Sequence, residues 1–189
     1  MPSLADSVLR TTRLVLRPLR PDDAVELFRI YREPQVARYL SFPPWTALEQ
    51  AQARIARDLD GMQSGMHLRL GLERQDDGRL IGDCTLFNIN APCRRAEIGY
   101  VLAQETWGNG YMDEALRALV DFGFSKLDLN RIEADIDPRN TGSARSLERL
   151  GFTKEGHLRE RWIVGGEVSD TGLYGLLAKD WQAAAARLH

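Results

Sequence analysis

Glu97-Ile98-Gly99-Tyr100-Val101-Leu102 leads, after a short spacer, into Trp107-Gly108-Asn109-Gly110-Tyr111-Met112-Asp113-Glu114-Ala115. Apolar and β-branched residues make the first segment a strand. In the second segment Gly108 and Gly110 stand two apart. Ala115, Leu116, Ala118, Leu119, Val120 and Phe122 then follow at helical spacing. The stretch therefore reads as strand, glycine turn and helix N-terminus. The first N–H groups of a helix lack internal partners and the macrodipole adds partial positive charge, so such a junction favours anions. Glycine also lets the backbone approach a phosphate with no Cβ in the way. The spacing is not the dinucleotide fingerprint, because Asp113 stands where the third glycine belongs. No Gly-Lys-Ser/Thr follows, so it is not a Walker loop either. The junction alone leaves the ligand open.

Around it, 189 residues predict one domain, residues 1–189, large enough to bury roughly 70% of its unfolded surface. With 43% hydrophobic and 28% charged residues, the composition is that of an ordinary soluble protein. A net charge of −2 makes no electrostatic case for nucleic acid or an anionic membrane. Cys84 and Cys93 lack metal-ligand spacing and fit a reducing compartment. The first twenty residues hold no uninterrupted apolar core, so neither a signal peptide nor an anchor is expected and a cytoplasmic location is.

Thr12 to Leu19 alternates like a strand, with Pro18 marking an edge or an end. Pro21-Asp22-Asp23 opens a helix through Ala24, Leu27, Phe28 and Tyr31. After Phe42-Pro43-Pro44-Trp45, Thr46 is expected to cap a second helix, with Glu49 completing a capping box. That helix runs to about Leu59 and carries Arg54, Arg57 and Asp58 on its polar side. Strands follow at His67–Leu72 and Leu80–Phe87, joined by Gln75-Asp76-Asp77-Gly78. Beyond the glycine turn come a strand at Ile132–Ile136, a helix at Gly142–Leu150, two strands around Gly165-Gly166 and a helix at Lys179–Leu188. This mixture indicates an α/β or α+β domain.

Three separated stretches then agree with one family. Glu97-Ile98-Gly99-Tyr100 with Trp107-Gly108-Asn109-Gly110-Tyr111, then Asn140-Thr141-Gly142-Ser143, then Leu150-Gly151-Phe152 resemble the GNAT superfamily of acetyl-CoA-dependent N-acetyltransferases. The opening Thr12-Arg13-Leu14-Val15-Leu16-Arg17-Pro18-Leu19 with Asp23-Ala24 looks like the branch holding the ribosomal-protein N-terminal acetyltransferases. So does the ending, Glu155-Gly156 with Asp170, Tyr174 and Trp181. The resemblance spans about residues 10 to 182. It implies an α+β fold, with a central mixed, mostly antiparallel twisted sheet flanked by helices and a splayed strand pair that holds acetyl-CoA. It places the coenzyme A pyrophosphate on the turn made by Trp107, Gly108, Asn109, Gly110, Tyr111 and Met112. Pantetheine pairs with main chain near Val101 and Leu102, and Asn140 hydrogen-bonds the same arm. Trp107 stands where Gln or Arg is usual. Met112 stands where Gly or Ala is usual, and its side chain is large enough to crowd a diphosphate.

Acetyl transfer needs a neutral amine, a polarised thioester carbonyl and a proton for the leaving thiolate. An α-amine has a pKa near about 8 and a lysine near about 10.4, so a modest base working through water serves an α-amine. Glu97 resembles the strand glutamate that acts as base in histone-acetyltransferase members of the superfamily. By alternation it shares a face with Gly99 and Val101, while Ile98, Tyr100 and Leu102 share the other. The competing reading pairs Glu97 with Arg94 or Arg95 at a solvated strand end. Glu160, in Arg159-Glu160-Arg161, is the weaker alternative base. Many family members use a tyrosine four residues before Gly-Phe as the acid, but Leu147 holds that place here. Ser143 resembles the serine proposed for this role in the ribosomal-protein branch. Asn140 and Ser143 also suit a helix cap, and water can protonate the thiolate instead. His67, His157 and His189 have no metal-ligand spacing and no metal is expected. Tyr39, Phe42 and Trp45 lie where the family builds its acceptor groove.

The expected reaction is direct attack in a ternary complex, with coenzyme A as product and a protein or peptide N-terminal α-amine as acceptor. A polyamine or antibiotic is the alternative amine. A non-catalytic acyl-CoA-binding module is the alternative outside enzymes, kept open by Leu147 and Met112. A homodimer is expected by resemblance alone.

Overall fold

Leucines at alternate positions turn one side of the early strands inward. Leu14, Leu16, Leu68, Leu70 and Leu72 are all fully buried. The computed structural model describes residues 3–186. In it these segments belong to β1 (Leu9–Arg10), β2 (Leu14–Arg17), β3 (Leu68–Arg74), β4 (Leu80–Asn90) and β5 (Arg95–Leu102). They continue with β6 (Arg131–Ile136), β7 (Thr153–Val164) and β8 (Glu167–Leu177). The eight form one sheet in the order β1-β2-β3-β4-β5-β6-β8-β7. Only β5 and β6 run parallel. The edge lies one strand further out than expected, since Leu9 pairs with Leu16 and β1 covers β2. Pro18 ends β2, consistent with its missing N–H.

Helices α1 (Ala24–Tyr31), α2 (Pro34–Ala37) and α3 (Leu48–Gln63) precede β3. Then α4 (Tyr111–Ser125) follows β5, α5 (Thr141–Leu150) follows β6 and α6 (Ala178–Ala186) follows β8. The end of the expected last helix at Leu188, and His189, lie outside the described residues. Two cores result. Leu116, Leu119 and Val120 of α4 with Leu147 and Leu150 of α5 pack on Leu16, Leu70, Leu86 and Ile98. Leu27, Ile30 and Tyr31 of α1 with Ile55 of α3 pack on Leu19, Leu80 and Val101.

The start of α3 differs from expectation. Gln50, not Glu49, supplies the cap, its Oε1 accepting from Thr46 N at 2.7 Å and Ala47 N at 3.0 Å. Thr46 thus lies outside the helix, whose first residue is Leu48. Asp58 also departs from its expected polar face, for it is 5% exposed. Arg54 Nε bonds its Oδ2 at 2.9 Å, Arg69 Nε of β3 lies 3.0 Å away and His67 Nε2 3.2 Å away. Arg69 then bonds Asp83, and Tyr31 Oη donates to Asp83 at 2.7 Å. Facing β3 supplies cations that a helical wheel cannot see. Burial alone would raise the Asp58 carboxyl, but His67, Arg69 and Arg54 outweigh it and hold the pKa below its ordinary value.

Arg17 and Asp23 of the opening motif are scaffold. Arg17 binds Asp23 through Nη1 at 2.7 Å and Nη2 at 2.9 Å and reaches Glu73 at 2.6 Å, locking β2 to the turn before α1 and to β3. Cys84 is buried and Cys93 exposed, both as free thiols. Among the described residues, no helix is long and apolar enough to cross a membrane. None of their His, Cys, Asp and Glu form a group able to hold a metal ion.

Candidate active site

Gly108 and Gly110 both adopt φ of +77°, and Gly110 is the residue preceding α4. A side chain is strained at such angles, which explains the two glycines. A Cβ on Gly108 would meet nothing within 4 Å, so the turn is open above its backbone. Among the described residues, no protein acceptor takes the N–H of Gly108, Asn109, Gly110, Tyr111 or Met112. These amides and the α4 dipole form a cradle for an anion. Met112 does not crowd it. Its side chain is 8% exposed and packs into the first core, because its helical position turns it inward. Local sequence gives no sign that Arg13 belongs to this turn. Its Nη1 donates to Asn109 O at 2.9 Å, its Nε pairs with Glu114 at 2.6 Å, and its guanidinium lies 4.5 Å from the Tyr111 ring centre.

Beside the turn the sheet opens. β5 and β6 pair from Arg95↔Arg131 to Glu97↔Glu133 and no further. Beyond that point β5 stays with β4 and β6 stays with β8. Ala103 N donates to Ile81 O at 2.8 Å, and the β4 register carries this pattern back along β5. The peptide groups of Val101 therefore face β4, and those of Tyr100 and Leu102 face the opening. Of the two residues expected to meet an extended arm, Leu102 has the open orientation. Its carbonyl accepts from Trp107 Nε1 at 2.8 Å. The indole thus closes the strand end.

A cavity of about 560 Å³ lies at the opening and is lined by Glu97, Tyr100, Asp135, Asn140 and Ser143 among others. Alternation along β5 holds as expected. Ile98, Tyr100 and Leu102 pack with the first core and Val101 with the second. Glu97 is half-buried and takes one hydrogen bond, from Asn88 Nδ2 at 3.1 Å. Arg94 instead binds Asp128 at 2.6 Å, and Arg95 binds Glu133. Neither neutralises Glu97. The other carboxylates lining the cavity differ. Arg139 holds Asp137 at 2.6 Å and Glu167 at 2.6 Å, and Arg161 lies 3.9 Å from Asp135. Arg139 keeps the Asp137 carboxyl below its ordinary pKa. Glu160 is exposed on β7 at φ +52°, where the β7–β8 register shifts.

At the start of α5, Asn140 Oδ1 accepts from Ser143 N at 3.1 Å, so the capping role is present while both residues line the cavity. Ser143 Oγ lies 2.7 Å from Tyr100 Oη. The family motif contains Tyr100 without assigning it a role. A phenol on the core-facing side of a strand needs a polar partner, and that is the signal the sequence offers. Leu147, at the position of the usual tyrosine, is fully buried in the first core. Tyr39 and Phe42 line the cavity as expected. Trp45 does not. It is 8% exposed and stacks on Tyr31 at 4.4 Å, behind the groove.

The sequence model described as acetyltransferase (GNAT) domain matches residues 13–153. The chain is 36% identical to the uncharacterized N-acetyltransferase p20 of Bacillus licheniformis over 92% of its own length and 97% of that protein. It is 30% identical to the [ribosomal protein uS5]-alanine N-acetyltransferase of Escherichia coli over 92% of each. The crystal structure of Mycobacterium smegmatis RimJ in complex with CoA-disulfide superposes with a TM-score of 0.84 at 27% identity. That alignment covers 98% of this chain and 97% of that one.

Proposed function

This chain belongs to the GNAT acetyltransferase family, and on that premise we propose that it acetylates the N-terminal α-amine of a protein or peptide. Family members are acyltransferases that use acetyl-CoA. Its fit to this chain rests on the open cradle at Gly108–Met112 and the free edge of β5. Gly108, Asn109, Gly110, Tyr111 and Met112 would hold the pyrophosphate through their amides, with Trp107 and Leu102 at the strand end beside them. Asn140 would hold the pantetheine arm. When bound, acetyl-CoA supplies an activated thioester carbonyl. Glu97 takes a proton from the attacking amine through water, and Ser143 supplies one to the departing sulfur. On this reading the chain acts as a single domain, in keeping with one sheet that carries both strands of the opening.

The observation that carries the acceptor class is charge pairing. Of the four carboxylates lining the cavity, three are in contact with Arg139 or Arg161, and Glu97 has no arginine partner among the described residues. One uncompensated carboxylate suits one ammonium group. A polyamine carries several, and a lining of four carboxylates against Arg38, Arg139 and Arg161 leaves about one net negative charge for them. The named activity of the Escherichia coli relative, on a ribosomal-protein alanine, agrees with this reading. Thiol release from acetyl-CoA, followed with a peptide bearing a free N-terminus and with spermidine, tests it. The peptide is expected to give at least about tenfold higher kcat/KM, a difference of about 1.4 kcal/mol. A preference for spermidine would overturn the assignment.

Gly110→Val tests the cradle. A β-branched residue at φ +77° costs of order 1–3 kcal/mol, and its Cβ comes within 3.5 Å of Arg13 Nη2. Acetyl-CoA affinity measured by calorimetry is expected to fall about tenfold or more. Unaltered affinity would mean that the pyrophosphate lies elsewhere.

A further inference from the structure

We propose that Tyr100 is a positioning residue that fixes the Ser143 hydroxyl so that its proton points into the opening of the sheet, an inference that rests on the transferase reading above. A serine hydroxyl has one proton and two lone pairs and rotates freely unless something holds it. Here Ser143 Oγ is 2.7 Å from Tyr100 Oη, while the Ser143 carbonyl is 3.4 Å from the same phenol. In this arrangement the phenol donates to Oγ, the nearer of its two contacts. With Tyr100 donating to Oγ, the serine proton is left to face the cavity that both residues line.

Two further features hold this arrangement. Burial pushes the Tyr100 phenol up to about 12. It therefore stays protonated through neutral pH and remains a donor. Asn140 Oδ1 holds the Ser143 amide at 3.1 Å, which fixes the backbone from which the hydroxyl projects. A hydroxyl that accepts from a phenol is also a stronger donor, because hydrogen bonds in a chain polarise one another. The N-terminal end of α5 adds partial positive charge to the same place.

The proton count closes. The amine nitrogen forms its bond to the carbonyl carbon and the carbon–sulfur bond breaks with its electron pair on sulfur. Glu97 removes the amine proton through water, Ser143 gives its own to sulfur, and solvent returns one to Ser143. Tyr100 keeps its proton throughout. This divides the task that a single phenol performs in relatives with tyrosine at the place of Leu147.

The test uses coenzyme A itself, the intact chain, Tyr100→Phe, Ser143→Ala and the double variant. Ultraviolet absorbance of the thiolate reports the pKa of the bound thiol, independently of turnover. Each single variant is expected to raise that pKa by about one unit, a tenfold loss of thiolate stabilisation, and the double variant by no more than either. Turnover is expected to show the same non-additive loss in kcat with KM for acetyl-CoA unchanged. A raised thiol pKa in Ser143→Ala with none in Tyr100→Phe would overturn the proposal, and so would additive effects. Failure of the unmodified chain to bind coenzyme A would instead overturn the transferase reading beneath it.

Discussion

Glu97→Gln is expected to lower kcat for acetyl transfer about 100-fold at neutral pH while acetyl-CoA affinity stays unchanged. The substitution keeps the shape and the bond from Asn88 but removes the one carboxylate of the cavity that no arginine among the described residues contacts. The pH dependence follows from the acceptor. An α-amine loses its proton around pH 8, so a base is needed most below that and least above it. The ratio of the two rates should therefore shrink as pH rises from about 6.5 to about 9.5. Parallel profiles across that range would remove Glu97 as the base. A loss of acetyl-CoA affinity would assign it to binding.

Asp58→Asn is expected to destabilise the fold by about 3 kcal/mol and lower Tm by about 10 °C. Its carboxylate lies among Arg54, Arg69 and His67 with 5% exposure, so the change leaves the Arg54 and Arg69 guanidiniums without this counter-charge. The folded pKa lies below the ordinary value. Its contribution is thus present above the unfolded pKa, about 3.9, and is lost as pH falls through the lower folded value. The stability gap between the two proteins, read from denaturant unfolding, should be present at neutral pH and close as pH falls below about 4. A gap that persists at lower pH would assign the loss to packing.

These two residues mark how far the sequence can be read. Glu97 is legible because period-2 alternation sets the side of a strand, and its face is as expected. What alternation cannot supply is the neighbourhood. That Arg94 and Arg95 turn to Asp128 and Glu133 depends on residues more than thirty positions away. Asp58 misleads for the same reason, since α3 looks amphipathic until β3 delivers Arg69 beneath it. The glycine turn is legible because left-handed backbone needs glycine locally, whereas the inward turn of Met112 requires the position of α4 on the sheet. The Asn140 and Ser143 cap is local and visible in the sequence. The phenol that meets Ser143 comes from 43 residues earlier in the chain and is not. Trp45 is likewise an aromatic in the right segment, drawn behind the groove by Tyr31.

The central claim is that the cradle at Gly108–Met112 and the open edge of β5 hold acetyl-CoA beside Glu97. Calorimetric titration of acetyl-CoA into the purified chain tests it most directly. The structure predicts saturable binding of one molecule per chain with micromolar affinity, about −8 kcal/mol. Absence of binding up to millimolar acetyl-CoA would contradict it.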